Sequence, residues 1–281
     1  MSDAIDLQST RSGRTYRLIR TFRIGGRLAH EAQDDLGNRC WIKQAPASDE
    51  AAIARLRYEA IVLAKLDHPG IVRLLDRGRN RSCFFLVLSQ APGRTLNELL
   101  EGRQLALSFV LTIADQLANL LHYLHAQGII CRTLTPSALY ADHLGRTTYV
   151  DLSMVWDEVS LPDSTEMYGD PTYSSPEQII GAVVERRSDI YSYGVLLFEL
   201  LTGRPPFQGS NRGDLALQHL LTPPPNIREL RPDLPQDLVA LVDRCLAKLP
   251  AQRFPNVTAL LETLCAIATG TALEKASLVP R

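Results

Sequence analysis

The apolar residues of this chain change their rhythm part-way along, and that change constrains the fold more than any other feature. From Tyr16 to Lys43 they come in short runs, broken by Gly25-Gly26 and by Leu36-Gly37-Asn38. Short runs between turn residues predict antiparallel strands joined by tight connections. Ser48-Asp49-Glu50 then supplies a helix N-cap and an acidic first turn, and Ile53, Leu56, Ala60 and Leu63 follow at helical spacing, so a helix is expected to run to about Leu66. Two more strands are expected at 71–75 and 83–88. Beyond Ala91-Pro92-Gly93 the pattern is helical, with a long Leu/Ile/Val stripe over 107–127 and further helices over 187–202, 213–221, 235–247 and 256–267. A small strand-rich part with one helix thus precedes a large helical part, with Ala91-Pro92-Gly93 as the hinge. Neither an internal repeat nor a low-complexity stretch complicates this reading.

Bulk properties exclude several function classes. The 281 residues suffice for one large core or two lobes. A net charge of -1 leaves no electrostatic footprint for nucleic acid, and no basic block suggests a membrane surface. No apolar run is long enough to span a bilayer, and no signal peptide is expected. The five cysteines, Cys40, Cys83, Cys131, Cys245 and Cys265, are dispersed, odd in number and lack a C-x-x-C pair. They fit buried thiols in a reducing, cytoplasmic setting better than a disulfide framework or a zinc site. Residues 1–13 are polar and expected to form a flexible terminus, and 269–281 a tail. Leu278-Val279-Pro280-Arg281 reads like the remnant of a thrombin-cleavable tag and is set apart from the fold.

Several motifs stand in an order and spacing that resemble a eukaryotic-type Ser/Thr protein kinase of the sort also found in bacteria. Cys40-Trp41-Ile42-Lys43 sits where that family has V-A-I-K, and Arg57-Tyr58-Glu59 lies on the following helix. Leu66-Asp67-His68-Pro69-Gly70-Ile71-Val72 resembles L-x-H-P-x-I-V, Asp151-Leu152-Ser153 stands for D-F-G, and Ser175-Pro176-Glu177 for A-P-E. Ser188-Asp189-Ile190-Tyr191-Ser192-Tyr193-Gly194 and Leu201-Thr202-Gly203-Arg204-Pro205-Pro206-Phe207 are close matches to the large-lobe helix and the loop after it. Any one motif is weak evidence; the ordered set is specific. The resemblance covers roughly 14–268. It implies an α+β, bilobal protein-kinase-like fold, with a small antiparallel-sheet N-lobe carrying one helix over 14–90 and a large helical C-lobe over 91–268. It also implies a buried Glu177–Arg253 ion pair and an Asp189 carboxylate accepting backbone N–H groups around Arg132. The Ser175-Pro176-Glu177 and Asp189 segments speak against a small-molecule kinase of the aminoglycoside type.

Phosphoryl transfer in such a family needs a base, two magnesium ligands, a phosphate-gripping lysine and a glycine-rich cover. The family's H-R-D-x-K-P-x-N loop reads Cys131-Arg132-Thr133-Leu134-Thr135-Pro136-Ser137-Ala138 here. By that resemblance the base is replaced by Thr133, whose hydroxyl takes no proton near neutral pH. The lysine beside the phosphates is replaced by uncharged Thr135, and the second metal ligand by Ala138, which has no donor atom. Around Gly25-Gly26 there is no G-x-G-x-x-G, so close backbone approach to phosphates is not provided for. Lys43, Glu59 and Asp151 survive, and are read as a structural ion-pair network in preference to a working site. Asp170 stands near the expected position of Thr133 and is a poor candidate for a relocated base.

Two positions bear on nucleotide. The family's adenine-roofing alanine, two residues before the lysine, is Trp41, and its aliphatic floor is Tyr140. An indole above and a phenol below would fill the purine slot and hold the lobes closed without a ligand. Leu63, Leu74, Leu152 and Cys131 occupy the family's internal hydrophobic column. Ser160, Ser164, Thr165 and Thr172 lie on the activation-segment equivalent, and Arg132 corresponds to the arginine that often pairs with a phosphate there.

The expectation from sequence is therefore a pseudokinase: no enzyme, no nucleotide cofactor and no metal. It would act as a regulatory or interaction scaffold on a protein partner, such as an active kinase or a phosphothreonine-reading domain. The competing expectations are a nucleotide-binding sensor and a weakly active atypical Ser/Thr kinase using Lys43, Glu59 and Asp151.

Overall fold

The computed structural model describes residues 6–25, 27–101, 103–132, 134–157 and 170–277, the side chains of 156–157 and 271–277 excepted. The chain divides into two compact units. One comprises Met1–Thr95, Ser137–Asp142 and Thr148–Met154; the other comprises Leu96–Pro136, His143–Thr147 and Val155–Arg281. The sheet-rich unit thus takes in two pieces of chain from well beyond the Ala91-Pro92-Gly93 segment. At Gly93 a Cβ would overlap the Ala141 carbonyl, so this close approach, with φ 89°, requires glycine.

In the first unit, strands β1 (Asp6–Gln8), β2 (Thr15–Ile24), β3 (Arg27–Asp34), β4 (Arg39–Pro46), β5 (Leu74–Arg79) and β6 (Cys83–Leu88) form an antiparallel sheet in the order β1-β2-β3-β4-β6-β5. Helix α1 (Glu50–Leu63) packs on it through Ile53, Leu56, Ala60 and Leu63. Its N-cap is Asp49, whose Oδ1 accepts from the Ala52 N–H at 2.9 Å. β6 is buried along its whole length, as its unbroken apolar sequence Cys-Phe-Phe-Leu-Val-Leu requires.

Two elements differ from expectation. β1 lies inside the stretch 1–13 expected to be a flexible terminus: Leu7 is buried in a core cluster with Tyr16, Ala32 and Phe85, and the Ser9 hydroxyl donates to the Arg77 carbonyl at 3.0 Å. The strand expected at 71–75 is β5 at Leu74–Arg79, because its inward-facing residues are Asp76 and Gly78, which carry no apolar signal. Asp76 is buried and accepts from the Tyr16 hydroxyl at 2.9 Å and from the Ser12 hydroxyl. A Cβ at position 78 would overlap the Phe85 ring. Polar and glycine positions facing inward therefore bind the last strand of the sheet back to its first hairpin.

Short strand β7 (Arg94–Thr95) pairs with β9 (Leu139–Ala141), which pairs with β10 (Thr147–Tyr149). In the second unit, α2 (Leu96–Leu100) and α3 (Leu107–Ala126) precede β8 (Ile129–Ile130), which pairs with β11 (Trp156–Asp157). Helices α4 (Pro176–Ile179), α5 (Arg186–Thr202), α6 (Arg212–Leu221), α7 (Ile227–Leu230), α8 (Gln236–Cys245) and α9 (Val257–Ser277) follow. α9 continues past the 256–267 expected for it. α5 is buried on almost every side, so it serves as the unit's central element and shows no polar face. It opens on a capping box between Glu185 and Ser188 and closes at Gly203, whose left-handed φ of 83° sends its N–H to the Glu199 carbonyl at 2.7 Å. Among the described residues no helix is long and apolar enough to cross a membrane.

Beside α5, Tyr191 Oη and His219 Nδ1 share a hydrogen bond of 2.9 Å, and the His219 ring packs on Phe207. Burial, and then the charge of Lys248, push the His219 imidazole down to about 4. The unfolded chain would protonate it near 6.5. Its contribution to stability is therefore complete above pH 6.5 and lost as pH falls from there toward 4. Acidification across that window is expected to cost roughly 3 kcal/mol through this one group. Urea unfolding at both ends of the window should show a pH slope smaller by that amount in His219→Gln; equal slopes would contradict it.

Candidate functional site

The residues that carry the chemistry converge inside the sheet-rich unit. Lys43 points inward from β4, Glu59 from α1, and Asp151 from the segment after β10. Lys43 Nζ donates to Glu59 Oε1 at 2.6 Å and to Asp151 Oδ1 at 2.9 Å, and all three side chains are buried. Glu59 Oε1 also accepts the Leu152 N–H at 3.2 Å. Burial pushes the Glu59 carboxyl up, and Lys43 offsets only part of it. Burial also works against an ionised Asp151, yet Lys43 holds its carboxyl below the usual value. Lys43 itself is raised: the two acids outweigh its desolvation. The arrangement is a buried cation shared by two acids whose environments push them in opposite directions.

Trp41 and Tyr140, singled out from sequence, come together. Trp41 lies two residues before Lys43 on β4 and is 6% exposed; Tyr140 lies on β9 and is 9% exposed. Their ring centroids are 5.0 Å apart at an interplanar angle of 48°. The indole also meets Phe22 of β2, with ring centroids 5.3 Å apart and an interplanar angle of 59°. Sequence reasoning passed over Phe22; its position three residues before the Gly25-Gly26 pair, on the strand that leads into the hairpin turn, was the available signal.

The β2–β3 turn is folded down onto the acid. Gly25 has φ 55°, its N–H donates to the Ser137 carbonyl at 3.3 Å, and a Cβ there would overlap the Asp151 carboxylate. Ala138 is buried, and its carbonyl accepts the Val150 N–H at 2.9 Å.

Thr133, Ser160, Ser164 and Thr165 lie outside the described residues. Thr135 is buried in the helical unit. Asp170 is exposed and caps its own turn, accepting from the Thr172 N–H at 3.0 Å. Of the expected hydrophobic column, Leu63 and Leu152 are buried and Leu74 half-buried in the sheet-rich unit, and Cys131 is buried in the helical one. The framework pairs form as expected. Arg253 grips Glu177 through two hydrogen bonds of 2.7 and 2.9 Å. Asp189 accepts from the backbone N–H groups of Cys131 and Arg132, each at 2.8 Å, and meets His125 Nε2 at 2.8 Å. Arg132 takes a left-handed φ of 61°, which those bonds help to hold.

An antiparallel-sheet unit with one helix, a helical unit built around α5, and a lysine held by a helix glutamate and a second acid define a protein-kinase-type α+β fold. Residues 30–264 match the family model of the protein kinase domain. The chain belongs to the protein kinase family. It is 32% identical over 269 residues to the probable serine/threonine-protein kinase PknB of Lactococcus lactis subsp. lactis (strain IL1403), an alignment covering 92% of this chain and 42% of that protein. It is also 32% identical over 211 residues to the serine/threonine-protein kinase PrkC of Bacillus subtilis (strain 168), covering 74% and 33%. To the serine/threonine-protein kinase PknA of Mycobacterium tuberculosis (strain ATCC 25618 / H37Rv) it is 32% identical over 285 residues, covering 96% and 65%. The chain thus spans less than two thirds of the length of these relatives. These findings correct the sequence expectation that the chain is no enzyme: its relatives are named Ser/Thr protein kinases, which are enzymes. The inference from Thr133, Thr135 and Ala138 weighed three lost groups, and gave too little weight to the lysine and acids that remain paired.

Proposed function

We propose that this kinase-family domain acts chiefly through protein contacts, as a regulatory or interaction module, with its adenine slot filled by its own side chains. The observation that carries the reading is the contact of Trp41 with Tyr140 at 5.0 Å, backed by Phe22. The family places a purine between these positions. Three packed rings there give the sheet-rich unit a ligand-independent core, worth on the order of a few kcal/mol for the indole alone. The surfaces so held in place would engage a protein partner in the cytoplasm, either an active kinase or a phosphothreonine-reading domain. Thermal-shift titration with ATP, with and without magnesium, tests it. A melting temperature indifferent to nucleotide is expected, and micromolar binding would sink the idea.

A second reading is favoured by the short Lys43–Glu59 and Lys43–Asp151 contacts: slow phosphoryl transfer once the rings part. Lys43 would grip phosphate oxygens, and Glu59 would keep its ammonium in place. Without a carboxylate at Thr133 the transfer would lack a general base, a loss typically worth about 10²–10⁴ in rate. Incubation with labelled ATP and a generic protein substrate should then show slow label transfer that Lys43→Met abolishes. Transfer undiminished by Lys43→Met would assign it to a contaminating kinase.

A further inference from the structure

The kinase family implies a divalent cation at the carboxylate that stands here as Asp151. The residues present do not fit one. Ala138 offers a buried methyl where the second ligand would be. Asp151 Oδ1 already accepts from Lys43 Nζ at 2.9 Å and from the Ser153 N–H at 3.3 Å. Its other oxygen is covered by the turn at Gly25, so closely that a Cβ there would overlap it. Among the described residues no three His, Cys, Asp or Glu side chains are grouped to hold an ion. Magnesium demands near-octahedral oxygen ligation and space for its waters, and a single half-covered carboxylate supplies neither.

The same turn brings in a positive charge. Arg27, two residues past Gly25 at the start of β3, places Nη2 3.3 Å from Met154 Sδ, and its charge acts on the Asp151 carboxylate. Met154 lies three residues beyond Asp151, so the guanidinium is held on the acid's own segment. We propose that Arg27 is a tethered cation standing in for the divalent ion, so that Asp151 takes no Mg²⁺ or Mn²⁺ while the hairpin is closed. The proposal rests on the family position of Asp151, and does not depend on whether Trp41 excludes a purine. A dication approaching this acid would meet the charges of Lys43, bonded to it, and of Arg27, held on its segment, and like charges oppose its binding.

The test is titration with Mn²⁺ alone, no nucleotide present, followed by loss of the free-ion paramagnetic signal. The wild-type chain should leave the signal intact up to about 1 mM metal. Arg27→Gln removes the charge and also the contact that ties the turn to Met154, so that the second Asp151 oxygen is uncovered and Mn²⁺ should bind at least about tenfold more tightly. Arg27→Gln combined with Asp151→Asn should return to the wild-type result, and Arg27→Lys, which keeps the charge, should not bind. Wild-type binding as tight as that of Arg27→Gln would overturn the proposal, as would a folded Arg27→Gln chain that binds no Mn²⁺. Because Arg27→Lys keeps the charge but not the guanidinium, it separates loss of the cation from loss of the arginine side chain itself.

Discussion

Arg253→Met should destabilise the chain by about 3–5 kcal/mol, the loss expected when one partner of a buried, fully bonded ion pair is removed. The guanidinium side chain has no solvent exposure, and each of its N–H donors is engaged. Nε donates to the Ala247 carbonyl at 2.8 Å, Nη1 to Glu177 Oε1 at 2.7 Å and the Arg187 carbonyl at 2.9 Å, and Nη2 to Glu177 Oε2 and the Lys248 carbonyl, both at 2.9 Å. The group also lies 4.9 Å from the Tyr191 ring centroid. Methionine would fill much of the volume yet leave the Glu177 carboxylate buried without its cation, with the Ser188 hydroxyl at 2.6 Å as a neutral donor. Burial already works against that carboxylate, and Arg253 is what holds it below its ordinary value. Lysine should be a poor rescue, because it lacks the planar fork that reaches four acceptor groups at once. Chemical denaturation followed by far-ultraviolet circular dichroism measures the loss. Removing both partners in Glu177→Gln/Arg253→Met should cost less than the sum of the single changes, since the pair shares one network. A loss below about 1 kcal/mol for Arg253→Met would mean that water or a neighbour replaces the bond.

The second large effect has two opposed parts. Trp41→Ala should destabilise the sheet-rich unit by about 3–5 kcal/mol, as other buried aromatic truncations do. The indole is almost fully buried and touches both Phe22 and Tyr140, so the deletion leaves a cavity beside two rings. That cavity has the flat, apolar character of a base-binding slot. ATP or adenosine should therefore bind the variant and restore part of the lost stability, by about 2.7 kcal/mol at a hundred times its dissociation constant. The same ligand should leave the wild-type melting temperature unmoved. Phe22→Ala should give a smaller version of both effects, because Phe22 is only half-buried.

Much of this was legible in the residues because the framework of the fold is written in local, periodic or charge-specific signals. The α3 stripe from Val110 to Leu124, the Asp49 cap of α1 and the Glu177 and Arg253 positions are such signals. The parts that escaped follow from residues whose inward role is not apolar. β5 turns Asp76 and Gly78 inward, so period-2 hydrophobicity cannot mark it. β1 is three residues long and is held by pairing with Tyr16 and its neighbours, which no local pattern announces. At the site, the pairing of Trp41 with Tyr140 could be anticipated because family positions name them. The descent of Gly25 onto Asp151 and the arrival of Arg27 beside Met154 depend on the shape of a hairpin turn. Turn shape is set by φ values and by close backbone approach, which residue types alone do not fix.

The central claim is that three aromatic side chains occupy the place of a purine, and calorimetric titration of ATP into wild-type and Trp41→Ala chains, without metal, tests it most directly. The account predicts no saturable heat from the wild type up to about 1 mM ATP, and binding at least about tenfold tighter than that limit by the variant. Micromolar ATP binding by the wild-type chain, unchanged or weakened in Trp41→Ala, would contradict it.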